Sequence, residues 1–125
     1  MKIDQSSIKP IYVQISEGIE DDILNGLLTE NEKSYSQYQI ADMFNVNPAT
    51  AAKGIHLLVE EGILFKKRGI GMHVSIGAKD IISKKRNEYF FTSLLRDVLI
   101  EAEKLGISKE EIKNRIDRYK GGAYK

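Results

Sequence analysis

Ser36–Val74 reads SQYQIADMFNVNPATAAKGIHLLVEEGILFKKRGIGMHV, and three elements can be read in it. Ser36 with Gln39 three residues on is a capping-box pattern, so a short helix starts there and closes at Phe44-Asn45. After a tight turn through Val46, Asn47 caps a second helix with Pro48 at its first position, where a missing N–H costs nothing. That helix runs to Glu61 and stops at Gly62, a left-handed end residue. Two short strands follow, at about Ile63–Lys67 and Met72–Ile76, joined by Arg68-Gly69-Ile70-Gly71. Helix, short turn, helix and basic hairpin make a winged helix-turn-helix, a shape that lays one helix in the DNA major groove.

Composition sets the bounds. The 125 residues hold one domain, or one small domain and an appendage. With 42% hydrophobic and 30% charged residues the chain reads as globular rather than disordered, and it has no apolar run long enough for a membrane span. Met1-Lys2-Ile3-Asp4-Gln5 turns polar at once, which reads as no signal peptide, and the absence of cysteine excludes disulfides and fits a cytoplasmic protein. The net charge of +1 hides a split: 7 basic and 10 acidic side chains through Gly77, 12 and 8 beyond it. The segment expected to meet DNA is thus the acidic one. Placement answers this: Asp21, Asp22, Glu60 and Glu61 are expected to face away, while Lys66, Lys67 and Arg68 crowd the hairpin, and local potential decides phosphate contact.

Upstream, residues 1–9 read as an irregular arm. Pro10 opens a helix whose apolar positions are Tyr12, Ile15, Ile19, Ile23 and Leu27, with Asp21 and Asp22 on or near the far side and an end at Leu24–Gly26. Thr29–Tyr35 is a polar connector. Ile40, Ala41, Phe44 and Val46 bury the next helix and turn; Ala51, Ile55, Leu58 and Val59 face inward from the one after; Ile63, Phe65 and Val74 anchor the hairpin. Asn47, Ala49, Thr50, Lys53 and Ala52 remain nearer the outside.

Downstream, the winged domain of residues 1–77 gives way to a helical tail, 78–125. One long helix is expected over Lys79–Leu105, ended by Gly106; Ser108 with Glu111 forms a second capping box for a short last helix, and Gly121-Gly122 begins a loose tail. Two helices cannot bury their own apolar stripe. It folds back on the winged domain or meets its copy in a second chain; the second is expected, because helix-turn-helix readers commonly bind two-fold sites as dimers. The dimer-forming candidates are Phe90, Phe91, Leu94, Leu95, Val98, Ile112 and Ile116. The fold class is mainly α with a small β-hairpin wing, followed by a two-helix dimerisation tail.

Pro10-Ile-Tyr12-Val-Gln14-Ile15, Ile23, Gly26, Ile40-Ala41, Val46-Asn47-Pro48-Ala-Thr50, Leu58, Glu61-Gly62 and Gly69-Ile-Gly71-Met-His-Val74 resemble, in order and spacing, the N-terminal reader of GntR-family transcription regulators. The likeness covers about residues 8–76. The short tail is similar to that of the YtrA-like subfamily. This resemblance implies a bacterial homodimeric repressor, often of genes for ATP-driven transporters or envelope stress. There are departures. Where the family usually carries Leu-Pro-Ser-x-Arg, this chain has Ser34-Tyr35-Ser36-Gln37-Tyr38. Tyr38 cannot replace the charged fork of the family arginine, and Tyr35 in place of proline is expected to loosen the approach to the helix. Ala51 and Ala52 are smaller than the usual residues, and Gly54 replaces a usual alanine.

The DNA-facing candidates are Ser36, Tyr38, Asn47, Ala49, Thr50, Lys53, Arg68, Gly69, Ile70 and Gly71. Asn47 reads as a phosphate or adenine contact or as a cap alone. Thr50 reaches a phosphate or its own backbone; Lys53 contacts phosphate or guanine or is merely solvated. Arg68 between flexible glycines suits a minor groove, or the turn is only a tight hairpin. The Tyr89-Phe90-Phe91 cluster reads as dimer core or as lining for a small-molecule effector. His56 and His73 lack a carboxylate or second histidine at ligand spacing, so no metal or cofactor is expected. No nucleophile elbow, phosphate loop or zinc signature points to an enzyme. The leading reading is a dimeric, sequence-specific regulator on a double-stranded operator; the rival is a winged-helix protein-interaction module without DNA affinity.

Overall fold

The computed structural model describes residues 1–121. In order the elements are α1 (Ile11–Leu24), α2 (Gln37–Phe44), α3 (Pro48–Glu60), β1 (Leu64–Lys67), β2 (Gly71–Val74), α4 (Ala78–Tyr89), a π-helical turn (Phe90–Leu94), α5 (Leu95–Leu105) and α6 (Lys109–Arg118). They form two compact units, Met1–Lys85 and the part from Arg86 onward. The winged helix-turn-helix is present as read. The tail expected beyond Gly121 lies outside the described residues.

In the first unit α1 packs on α3, and α3 in turn meets α2 and β1. Ile15, Ile19 and Ile23 are buried at helical spacing, as their period requires, and meet Ile40 of α2, Ala51, Ile55 and Leu58 of α3, and Ile63, Leu64 and Val74 around the hairpin. Ala78 and Ile82, from the first turns of α4, complete this core. α1 also buries polar residues, and each engages a different neighbour. Ser16 Oγ donates to the Gly54 carbonyl of α3 at 2.8 Å. Glu20, only 2% exposed, takes an ion pair from Lys85 of α4, whose ammonium also reaches Glu61 at 2.9 Å. Burial alone would lower the Lys85 pKa; hydrogen bonds to the two carboxylates outweigh it and hold the ammonium above its ordinary value. Asp22 accepts the Tyr35 hydroxyl at 2.8 Å. Asp22 is therefore buried, not turned away as the spacing suggested, because Tyr35 satisfies it.

Gly54 explains one departure from the family pattern. A Cβ placed there would sit 2.6 Å from the Tyr12 carbonyl oxygen and 3.0 Å from Ile15 Cγ2. The bare Cα lets α1 and α3 cross at this distance and lets Ser16 reach across.

Several expectations shift. Leu27 is 64% exposed and Leu28 is buried in its place. The helix ends at Leu24, and Gly26 at φ +83° breaks the helical phase, so the apolar step moves by one residue. Leu64, not Phe65, seats β1 in the core; Phe65 lies half-buried beside the His73 ring. The strands pair antiparallel, Leu64 opposite Val74 and Lys67 opposite Gly71; β1 starts one residue later than expected, and β2 starts one residue earlier and ends two earlier. The connector is not merely polar loop. Ser34 N–H donates to the Met72 carbonyl at 2.8 Å and Val74 N–H to the Glu32 carbonyl at 2.9 Å, so Glu32–Ser34 runs beside β2 as a third, short rung. The N-terminal arm is irregular but held: the Gln14 side chain bonds the backbone of Asp4 and Lys9, and Lys9 pairs with Glu17 at 2.9 Å.

In the second unit the expected single long helix is interrupted. Thr92 Oγ1 donates to the Glu88 carbonyl at 2.7 Å, and the backbone widens into the π turn around it. Gly106 ends α5 at φ +71°. Ser108 caps α6 by accepting from Glu111 N–H at 3.1 Å, but the Glu111 carboxylate turns to Arg115 at 3.3 Å instead of closing a box.

The close crossing predicts that Gly54→Ala destabilises the chain by ~1–3 kcal/mol in urea unfolding. Helix propensity alone would make alanine about 1 kcal/mol the better residue. A midpoint equal to or above the parent's would show that the two helices have room for a methyl group.

Candidate nucleic-acid interface

Local chemistry places α2 and α3. Ser36 and Gln39 form a complete capping box: Gln39 N–H donates to Ser36 Oγ at 3.1 Å and Ser36 N–H to Gln39 Oε1 at 2.8 Å. Asn45 then turns left-handed at φ +53°, and Val46 plugs the turn. Asn47 Oδ1 accepts from Ala49 N–H at 2.8 Å, with Pro48 opening α3. The cap uses the oxygen of Asn47 and leaves its amide nitrogen for another partner. At the hairpin, Ile70 N–H donates to the Lys67 carbonyl at 3.0 Å, with Gly69 at φ +76° and Gly71 at φ +117°, backbone conformations that favour glycine.

Between these elements lies an open groove of about 640 Å³. Its walls are Ser36, Gln37 and Tyr38 at the start of α2, Ala49, Ala52, Lys53, Ile55 and His56 along α3, and Lys66, Gly71 and Met72 from the hairpin. Five of the expected DNA-facing residues meet here: Ser36, Tyr38, Ala49, Lys53 and Gly71. Asn47 stands exposed at the α3 cap, and Arg68, Gly69 and Ile70 form the exposed tip of the wing. Thr50 is half-buried, and its hydroxyl has no partner among the described residues.

Lys53 is not simply solvated: its ammonium lies 4.0 Å from the centre of the Tyr12 ring. His56 does have a carboxylate at helical spacing, contrary to the sequence reading. Glu60, one turn on, stands 2.9 Å from His56 Nε2. Two such groups are no metal site, and no cluster of three occurs among the described residues. Sequence reasoning missed Gln37, Ile55, His56 and Met72 as groove residues, and it named Lys66 only as one of the hairpin cations. The step from Lys53 to His56 along one helix face, and strand alternation past Phe65, carried the signal. It also left Lys33 in the connector, where its side chain lies 3.4 Å from the place a Cβ on Gly71 would take, adding a cation beside Lys66, Lys67 and Arg68.

Tyr35, expected to loosen the approach to α2, instead ties it to α1 through Asp22. Burial, and then the hydrogen bond to Asp22, push the Tyr35 phenol up to about 12. A phenol whose folded pKa exceeds its unfolded value of about 10 stabilises the fold fully below about pH 10 and loses that contribution as pH climbs through the folded value. Tyr35→Phe should therefore cost about 1–2 kcal/mol near neutrality. The gap between parent and variant should close as pH rises from about 10 toward 12 in parallel denaturation series. A gap that stays constant across that window would mean the phenol does not act through its proton.

A helix-turn-helix with a cationic hairpin wing, and an open groove along the exposed side of its second helix, is a winged-helix DNA-binding domain. Comparison with known proteins agrees. Residues 11–74 match the family described as bacterial regulatory proteins, gntR family. The chain is 29% identical over 112 residues to the HTH-type transcriptional repressor YtrA of Bacillus subtilis, covering 90% of this chain and 85% of that one. A GntR family transcriptional regulator from Listeria monocytogenes superposes with a TM-score of 0.77 at 30% identity, over 94% of this chain and all of the other. AraR(DBD), solved in complex with an operator, superposes with a TM-score of 0.54 at 27% identity over 60% of this chain and 93% of its own. The chain belongs to the gntR family, in its YtrA-like subfamily. It is a DNA-binding transcription regulator rather than an enzyme, and the reading as a protein-interaction module without DNA affinity is not favoured.

Proposed function

We propose that this regulator is a homodimeric repressor that reads a two-fold operator with its paired α3 helices in successive major grooves. The observation that carries this reading is the open groove, which gathers the start of α2, the first turns of α3 with Lys53, and Lys66 of the wing along one side of the first unit. The kinship with a named repressor over 85% of that protein's length supports repression. Pairing is supported by the second unit: Phe90, Phe91, Leu94, Val98 and Ile116 are all exposed in the single chain, more apolar surface than a lone helical tail leaves in water. Leu95 and Ile112 are half-buried beside that stripe. No helix among the described residues is long and apolar enough to cross a membrane, and the stripe is better matched to a second copy. A DNA-binding role is consistent with a cytoplasmic protein, and the subfamily resemblance makes a transporter or envelope-stress operon the expected target.

Gel shift on the promoter of its own operon, with the particle mass in solution, tests the reading. A monomer, or no specific shift at moderate salt with any neighbouring promoter, would sink it. Arg68→Ala should weaken binding alike on all sequences and lower the salt slope by about one counterion; an unchanged slope would mean the wing tip does not touch DNA. Val98→Glu should yield monomers with a large loss of operator affinity and an intact first unit. A dimer surviving that charge would place the pairing surface elsewhere.

A further inference from the structure

The side of α3 turned to the groove is chemically unusual for a reader. Ala49, Ala52, Lys53 and His56 share it, at helical steps of three and four. Of these, the two polar side chains have partners inside the protein: Lys53 lies over the Tyr12 ring at 4.0 Å, and His56 Nε2 is 2.9 Å from the Glu60 carboxylate. On this groove-facing side the first turns of α3 therefore present two methyl groups, while the polar groups left open, the Asn47 amide nitrogen and the Thr50 hydroxyl, lie outside the groove lining. Ala49 is exposed and Ala52 half-buried, and neither side chain can donate or accept a hydrogen bond. Tyr38, 69% exposed on the opposite wall, adds a largely apolar ring.

A major groove offers one apolar mark: the C5-methyl of thymine, which alanine contacts well. Residues at the start of a recognition helix are the ones that reach base edges. We propose that Ala49 and Ala52 read the operator through thymine methyl groups, making each half-site depend on two thymines recognised by apolar contact rather than by a hydrogen-bonded fork. This rests on the operator-binding reading above. It extends that reading by assigning specificity to the residues with the least polar chemistry on the helix. The cations Lys33, Lys66, Lys67 and Arg68 then supply sequence-independent phosphate attraction.

The test uses the full chain. An operator is first selected from random duplex DNA, and each thymine of one half-site is then replaced singly by deoxyuridine, which keeps every hydrogen-bonding group and lacks only the methyl. Affinity should fall about fourfold at each of two positions, the amount one buried methyl group carries, and stay unchanged at the others. In Ala52→Ser the thymine-to-uracil preference should vanish at one of these positions and persist at the other; in Ala49→Ser the positions should exchange. A selected operator on which every replacement binds equally would overturn this proposal and leave operator binding standing. Failure to enrich any sequence would overturn both.

Discussion

The carbonyl of Tyr12 and the Cα of Gly54 meet too closely for a methyl group to stand between them. This contact fixes how deeply α1 lies against α3, and Ser16 bonds across it. The rest of the first unit is arranged around the helix so placed. Glu20 holds α4 through Lys85, Asp22 holds the approach to α2 through Tyr35, and the isoleucines between them fill the core. α1 thus backs the α3 wall and ties down α4 and the approach to α2 without itself lining the groove. A buried ion pair is weak evidence for stability, since desolvation offsets most of its attraction. Its value here is positional: a carboxylate that is 2% exposed tolerates few arrangements other than one that satisfies it.

The same arrangement resolves the acidity of the reading domain. Four of its carboxylates are occupied internally: Glu17 by Lys9, Glu20 and Glu61 by Lys85, and Asp22 by Tyr35. Glu60 faces His56. Lys33, Lys66, Lys67 and Arg68 make no ion pair among the described residues, so near the wing the charges left toward solvent are positive. Net charge is a poor guide when one sign is spent on packing and the other is left toward solvent.

Legibility depended on the kind of signal. Caps and helix ends were read correctly: the Ser36 and Asn47 caps, Pro48 at the first helical position, and the glycines Gly62 and Gly106. Side-chain pairings were not, even within one turn, as His56 with Glu60 and Glu111 with Arg115 show. Nor were signals that need a distant partner. Asp22 looked solvated because Tyr35 is thirteen residues away. Gly54 was seen only as a replacement of a usual alanine, because the atom that excludes its side chain lies in another helix. The connector looked like loop because its strand partner comes later in the chain. The π turn escaped because a Thr-to-carbonyl bond leaves no mark on apolar periodicity. Of the expected DNA-facing residues, Ser36, Tyr38, Ala49, Lys53 and Gly71 line the groove. Which side chains the protein ties up itself, Lys53 and His56 above all, was not readable.

The third rung formed by Glu32–Ser34 has a consequence for the sheet's exposed margins. An unpaired sheet margin invites a neighbouring chain to add itself as a further strand. Here the outer margin of β2 is already taken by the molecule's own connector. The margin of β1 carries Lys66 and Lys67, whose like charges disfavour stacking against their own copies. The wing is thereby guarded against self-templating on both flanks while its tip stays open to a polyanion.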